Sequence, residues 1–212
     1  MTVRVSLVAP AGCAALREAR FGDGSGPDGS GGGGLDAGGL RRARAAAGRA
    51  PRGALVLASP SARCRETAAA LGLRAAPEDA LRGCDPGRWR GLRLDEVAAA
   101  EPAAVAAWLA DPAAAPHGGE SLLGLLARVG AWLDGLAEGG PARVVAVAEP
   151  DVVRAAAVHA LGAPPRTFWR LDVAPLTATA LSGRAGRWNL RPGAPLAPAV
   201  LPVGEDGGEA AR

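Results

Sequence analysis

Three short apolar runs each end in residues that could do chemistry. Val3–Val8 leads into Ala9-Pro10-Ala11-Gly12-Cys13, residues 54–58 into Ser59-Pro60-Ser61-Ala62-Arg63-Cys64-Arg65-Glu66-Thr67, and Arg143–Val147 into Ala148-Glu149-Pro150-Asp151-Val152-Val153-Arg154. Arg63 is a permanent cation whose planar fork suits a carboxylate or a phosphate. Glu149 could pair with Arg63, cap the helix that follows it, hold a ligand, or serve as a general acid or base. His117, in the loop His117-Gly118-Gly119, could be a base or a metal ligand, or simply a partly exposed loop residue. Arg20 stands beside a glycine-rich stretch and is a further candidate for a ligand anion. Asp151 and Arg154 read as an early helix residue and a structural partner of a carboxylate. Cys13 and Cys84, with Glu149 or His117, have the chemistry for a soft metal. Small buried residues account for them with fewer assumptions, so neither a metal nor a cofactor is expected.

The elements that must place these residues follow from the pattern of apolar positions. The β-branched runs at Val3–Val8, 54–58 and Arg143–Val147 read as buried strands. Ser59-Pro60 opens a helix through Leu71, with Ser59 as its cap. Helices are expected at 40–49, 93–100, 102–110 and 151–161, and an amphipathic one at 121–136. Residues 168–173 and 177–182 read as further strands, the second turning back through 183–186 into 187–190. Residues 22–39 read as a flexible glycine-rich loop; Gly31 to Gly34 are consecutive and no GK[ST] follows, which argues against a phosphate cradle. Residues 192–212 read as a disordered tail after a single domain over 1–191. Strands alternating with helices predict a three-layer α/β/α sandwich with a mostly parallel sheet, and in such sheets ligands sit at the C-terminal strand ends.

With those residues in place, the chain resembles the histidine phosphatase superfamily, the phosphoglycerate mutase-like fold. The resemblance rests on Ser59-Pro60-x-x-Arg63-x-x-Glu66-Thr67, Gly87-x-Trp89-x-Gly91, Gly118-Gly119-Glu120-Ser121 and Phe168-Trp169-Arg170-Leu171, in that order. It implies an Arg-His-Gly signature after the first strand, whose histidine becomes a phosphohistidine, and a second histidine after the third strand. Here Ala9, Pro10 and Ala11 stand at the first place and Ala148, Glu149 and Pro150 at the second. The family's acid falls at Gly83, whereas its pocket arginine is kept as Arg63, and Arg20 matches a further one.

A nucleophile needs a lone pair on a positioned side chain, and Pro10 has none. Two like charges about 4 Å apart at an effective dielectric of about 20 repel by about 4 kcal/mol, so Glu149 would oppose an anion. The pocket is therefore expected to favour a cation, a metal or a neutral ligand over phosphate. The resemblance then implies a pseudoenzyme that binds a small ligand or a protein partner. Two alternatives stay open: an enzyme of altered acid/base chemistry using Glu149 with Arg63, and a residual phosphatase or phosphomutase.

Composition sets outer bounds. The 212 residues allow one sizeable core. All 24 basic residues are arginine, and Lys, Ile, Gln and Tyr are absent, which points to a GC-rich genome. A net charge of +3 and few aromatics argue against a nucleic-acid partner. No apolar run reaches about 18 residues, so no membrane span is expected. The opening run is too short for a signal peptide, and a cytoplasmic location is expected. Three cysteines without finger spacing argue against a disulfide framework. A homodimer stays open.

Overall fold

A computed structural model describes residues 1–22, 33–184 and 186–196. Six strands form one sheet in the order β3-β2-β4-β1-β5-β6. They are β1 (Val3–Val8), β2 (Leu55–Ala58), β3 (Ala76–Pro77), β4 (Arg143–Val147), β5 (Thr177–Arg184) and β6 (Arg187–Pro195). The first four are mutually parallel, and β5 and β6 close one edge antiparallel. Alternation along the strands sends side chains to two cores. Val144 and Ala146 join Val5 and Leu7 on one face, while Val145 and Val147 join Val8 and Ala58 on the other.

The first core is covered by α6 (Leu122–Gly139) and α7 (Pro150–Leu161), through Leu125, Val129, Leu133, Val152 and Ala156. The second is covered by α3 (Ala62–Ala70), through Cys64 and Ala68, with Ala46 at the end of α2 (Ala37–Ala45). This is the expected α/β/α sandwich. The remaining helices, α1 (Ala14–Arg17), α4 (Leu94–Ala100) and α5 (Pro102–Ala110), complete the chain order. Among the described residues no helix is long and apolar enough to cross a membrane.

Several boundaries differ from the sequence reading. Helix α2 begins at Ala37, inside the stretch read as loop, because Asp36 accepts the Gly39 amide at 2.7 Å and caps the first turn. Gly39 is required there, since a Cβ would lie 2.2 Å from the Gly12 carbonyl oxygen. Residues 23–32 of that loop lie outside the described residues, as do 197–212 of the expected tail. Strand β6 runs on to Pro195 instead of ending at Leu190. The run 168–173 is not a strand: two prolines start a 3-10 turn over Pro165–Arg170. The cap of α3 is Ser61 instead of Ser59, with its hydroxyl accepting the Cys64 amide at 3.2 Å.

Candidate functional site

The three parallel strand ends are brought level by single hydrogen bonds that extend the ladders. Ala148 donates to the Val8 carbonyl at 3.0 Å, and Ser59 donates to the Val147 carbonyl at 2.8 Å. The chain after β1 is pinned to α3, because the Ala11 amide donates to the Thr67 hydroxyl at 3.1 Å. Glu66 of the same helix accepts the Leu35 amide at 2.7 Å. The Ser59-to-Thr67 segment thus works as scaffold as well as site.

A cleft of about 530 Å³ opens at these ends, lined by Arg20, Arg63, Gly83 and Glu149 among others. Its floor is an ion pair. Arg63 Nη2 meets Glu149 Oε2, and both side chains are 7% exposed. Glu149 Oε1 accepts from the Ser61 hydroxyl at 2.6 Å and from the Cys64 thiol at 3.4 Å. Arg63 Nη1 reaches Cys13 Sγ at 3.5 Å. Burial alone would depress the Arg63 guanidinium, but the Glu149 carboxylate beside it outweighs that and holds it above its usual range. Burial, then Glu149, pushes the Cys64 thiol far up, so it stays protonated. Glu149 precedes α7 at its N-cap position, yet its side chain makes no capping hydrogen bond.

Ala9 and Pro10 are buried, and neither is among the residues that line the cleft. Ala9 is held by β5, donating to the Thr177 carbonyl at 2.9 Å and accepting from the Leu176 amide at 3.2 Å. Gly83 sits against two carboxylates: a Cβ there would lie 3.4 Å from both Asp151 Oδ2 and Glu149 Cγ. An acidic side chain at 83 would be the third carboxylate in that space. Asp151 accepts the Cys84 amide at 2.6 Å and the Val152 amide at 2.8 Å. Burial first, then Glu149, nevertheless raises its pKa. The Cys84 thiol is pushed up to about 12 by burial and by Asp151.

An apolar lobe of about 260 Å³ adjoins the cleft and shares Arg20, Gly22, Cys84, Asp151 and Arg154 with it. Its walls include Phe21, Trp108, Phe168 and Trp169. These rings form a chain of edge contacts, with Trp108 on Phe21 at 5.6 Å and on Trp169 at 4.7 Å. Trp89 is fully buried, while Trp108 and Trp169 are half-buried walls of the lobe.

His117 also lines the lobe, but it is a buried structural residue. Its Nδ1 accepts the Gly119 amide at 3.0 Å and its ring packs edge-on to Trp89 at 5.0 Å. Burial depresses its pKa and favours the neutral ring. The surrounding turn is held by close backbone contact, since a Cβ on Gly87 would lie 2.2 Å from the His117 carbonyl oxygen. His159, by contrast, reaches Asp134 of α6 at 3.1 Å from the last turn of α7 and lines neither the cleft nor the lobe.

Two charge expectations are corrected. The pocket expected to favour a cation over an anion is lined by five arginines and three carboxylates, because Arg20, Arg82, Arg90 and Arg154 arrive from separate parts of the chain. Arg90 pairs with Asp85 at 2.6 Å, and Arg20 with Glu18 at 2.7 Å and the Gly91 carbonyl at 3.0 Å. Arg154 does not partner a carboxylate. Among the described residues its guanidinium makes no ion pair, its Nε is buried without a hydrogen bond, and it lies over the Phe168 ring at 5.8 Å. An unpaired buried donor costs about 1–3 kcal/mol. Among the described residues no group of three His, Cys, Asp or Glu side chains could hold a metal ion.

Comparison with known proteins agrees with this architecture. The model of the histidine phosphatase superfamily (branch 1) matches residues 14–192. The chain is 35% identical over 122 residues to a glucosyl-3-phosphoglycerate phosphatase of Mycolicibacterium vanbaalenii, covering 52% of this chain and 54% of that one. It thus spans about half the length of that curated relative. Among solved structures, mycobacterial hydrolase 1 superposes with a TM-score of 0.73 at 27% identity, over 90% of this chain and 97% of that one. A mycobacterial glucosyl-3-phosphoglycerate phosphatase in complex with VO3 superposes with 0.74 at 28% identity, over 89% and 97%. The alpha-ribazole phosphatase of Shigella flexneri shares the fold, with a TM-score of 0.75 at 20% identity over 89% and 95%. A family match that runs from α1 into β6 makes this chain a member of the histidine phosphatase superfamily.

Proposed function

We propose that this chain does not transfer phosphoryl groups through a phosphohistidine and acts by binding a small ligand or a protein partner in its cleft. The observation that carries this reading is the Glu149–Arg63 pair at the foot of the strands. The one arginine clearly kept from the family pocket has its charge met by a side chain of the same protein. Pro10, where the family resemblance puts the nucleophile, has no lone pair to offer and is buried. Gly83 supplies no acid. Losing a nucleophile leaves about 10³–10⁴-fold acceleration where it has been dissected. Phosphate monoester hydrolysis calls for up to about 10²¹.

Altered acid/base chemistry at Glu149 is the weaker reading. Both of its oxygens are occupied, by Arg63 on one side and by Ser61 and Cys64 on the other. Residual phosphatase activity is the reading that the names of the mycobacterial relatives favour. One assay separates these readings. Turnover of p-nitrophenyl phosphate should stay at the buffer rate, with Arg63→Ala no different. Turnover that disappears in Arg63→Ala overturns the proposal.

A further inference from the structure

We propose that the apolar lobe beside the cleft takes a small carboxylic acid with an aromatic or branched apolar body, its carboxylate seated on Arg154. The inference rests on the reading that the chain works by binding, and it names the ligand class. Three observations point to it.

Among the described residues Arg154 is a cation without a counter-ion. It lies on α7 three residues beyond Asp151, but no described carboxylate approaches it within ion-pair distance. Asp151 spends its acceptors on the amides of Cys84 and Val152. The Arg154 guanidinium is fixed all the same, because it lies on the Phe168 ring. A fixed, unpaired, planar donor matches a carboxylate two-pronged.

The space next to that donor is apolar. Trp108, Phe168 and Trp169 wall it, and the Trp169 indole N–H is a second buried donor without a partner. Half-buried indoles around a void of about 260 Å³ suit a body at or below the small end of ordinary ligands, whose sites run about 300–1,000 Å³. A sugar phosphate would bring hydroxyls to these rings with few partners for them.

The third point is charge. Asp151 lines the same lobe, and Glu149 lies beyond it. One negative charge is met by Arg154. The second charge of a phosphate monoester would find Asp151 instead, because Arg20, Arg63, Arg82 and Arg90 are already paired, with Glu18, Glu149, Glu120 and Asp85.

Calorimetric titration of the full chain with 3-phenylpropionate, 3-phenylpropionamide, phenyl phosphate and inorganic phosphate tests the idea. The acid should bind and the isosteric amide should not. Arg154→Gln should weaken the acid on the order of ten- to a hundredfold, the worth of a charge-assisted hydrogen bond. Arg154→Lys should recover part of it. Equal binding of acid and amide, tighter binding of phenyl phosphate, or no binding of the acid overturns the inference. The acid–amide contrast is read on the unaltered protein, so it stands even if the variants fold poorly. Hydrolysis of phenyl phosphate would sink the non-catalytic reading and leave the carboxylate site to be judged by its own titration.

Discussion

At the floor of the cleft the charges answer one another: Arg63 meets Glu149, and Ser61 and Cys64 take the remaining carboxylate oxygen. Little more than a turn along α7, Arg154 lies in the same cleft and no described acid answers it. The two arginines share a chemistry and differ in their surroundings. Arg63 enters on α3, between Cys13 and Glu149, where desolvation makes a counter-ion obligatory. Arg154 sits on an aromatic ring at the mouth of an open lobe, where a ligand can reach it. The contrast separates a charge spent on the fold from one available for recognition.

The largest expected effect is on the floor. Glu149→Leu leaves Arg63 as a buried cation without its partner and should lower unfolding stability by about 3–5 kcal/mol, read from denaturant melts. Arg63→Met with Glu149→Leu together should recover most of that loss, since two apolar groups replace a matched pair. If the double variant is as unstable as the single one, the pair is not what holds the floor.

Next comes Ser61, which serves the cap of α3 and Glu149 at once. Ser61→Ala should cost about 1–2 kcal/mol by the same melts. A loss within error would mean that the cap is filled by another group.

Protonation gives a third effect. The folded state depresses the His117 pKa, so the unfolded chain binds more protons below its ordinary value of 6.5. Stability from this group is present above that value and is lost as pH falls through it. Asp151 runs the other way: its raised pKa favours the protonated form, so its contribution is present below 3.8 and is lost as pH rises through the folded value. Asp151→Asn should therefore shift the melting temperature more favourably at pH 8 than at pH 3.5. An equal shift at both would show that the carboxyl is not perturbed by the cleft.

The smallest effect on stability is expected at the open lobe. Arg154→Gln should change unfolding stability by no more than about 1 kcal/mol, because among the described residues only its contact with the Phe168 ring is lost. A loss as large as that of Glu149→Leu would place Arg154 with the structural arginines and erase the contrast.

The elements that place the floor were legible in the sequence. Val3–Val8 and Arg143–Val147 are strands whose valines, at Val3, Val5 and Val8 and at Val144, Val145 and Val147, are all buried. Glu149 and Arg63 stand at the strand ends in the sequence, and their pairing is one of the readings it allows. The lobe was much less legible. Trp108 and Trp169 look like core residues in a sequence, because nothing local tells a buried indole from one that walls a cavity. Phe168-Trp169 in an apolar run resembled a strand, although Pro164 and Pro165 had already set a 3-10 turn. The sequence context of Arg154 suggests a carboxylate partner, and the described residues supply none. Charges counted along the chain likewise miss Arg82 and Arg90, which line the cleft from the segment between β3 and α4.

The most direct test of the central claim is intact-protein mass spectrometry after incubation with phosphoramidate, a donor that phosphorylates free imidazole. Neither histidine lies where the family resemblance puts the nucleophile: His117 is buried with its Nδ1 already accepting a hydrogen bond, and His159 meets Asp134 of α6 from the last turn of α7. An unchanged mass is the predicted result; a gain of one phosphoryl group, mapped to a residue of the cleft, would contradict it.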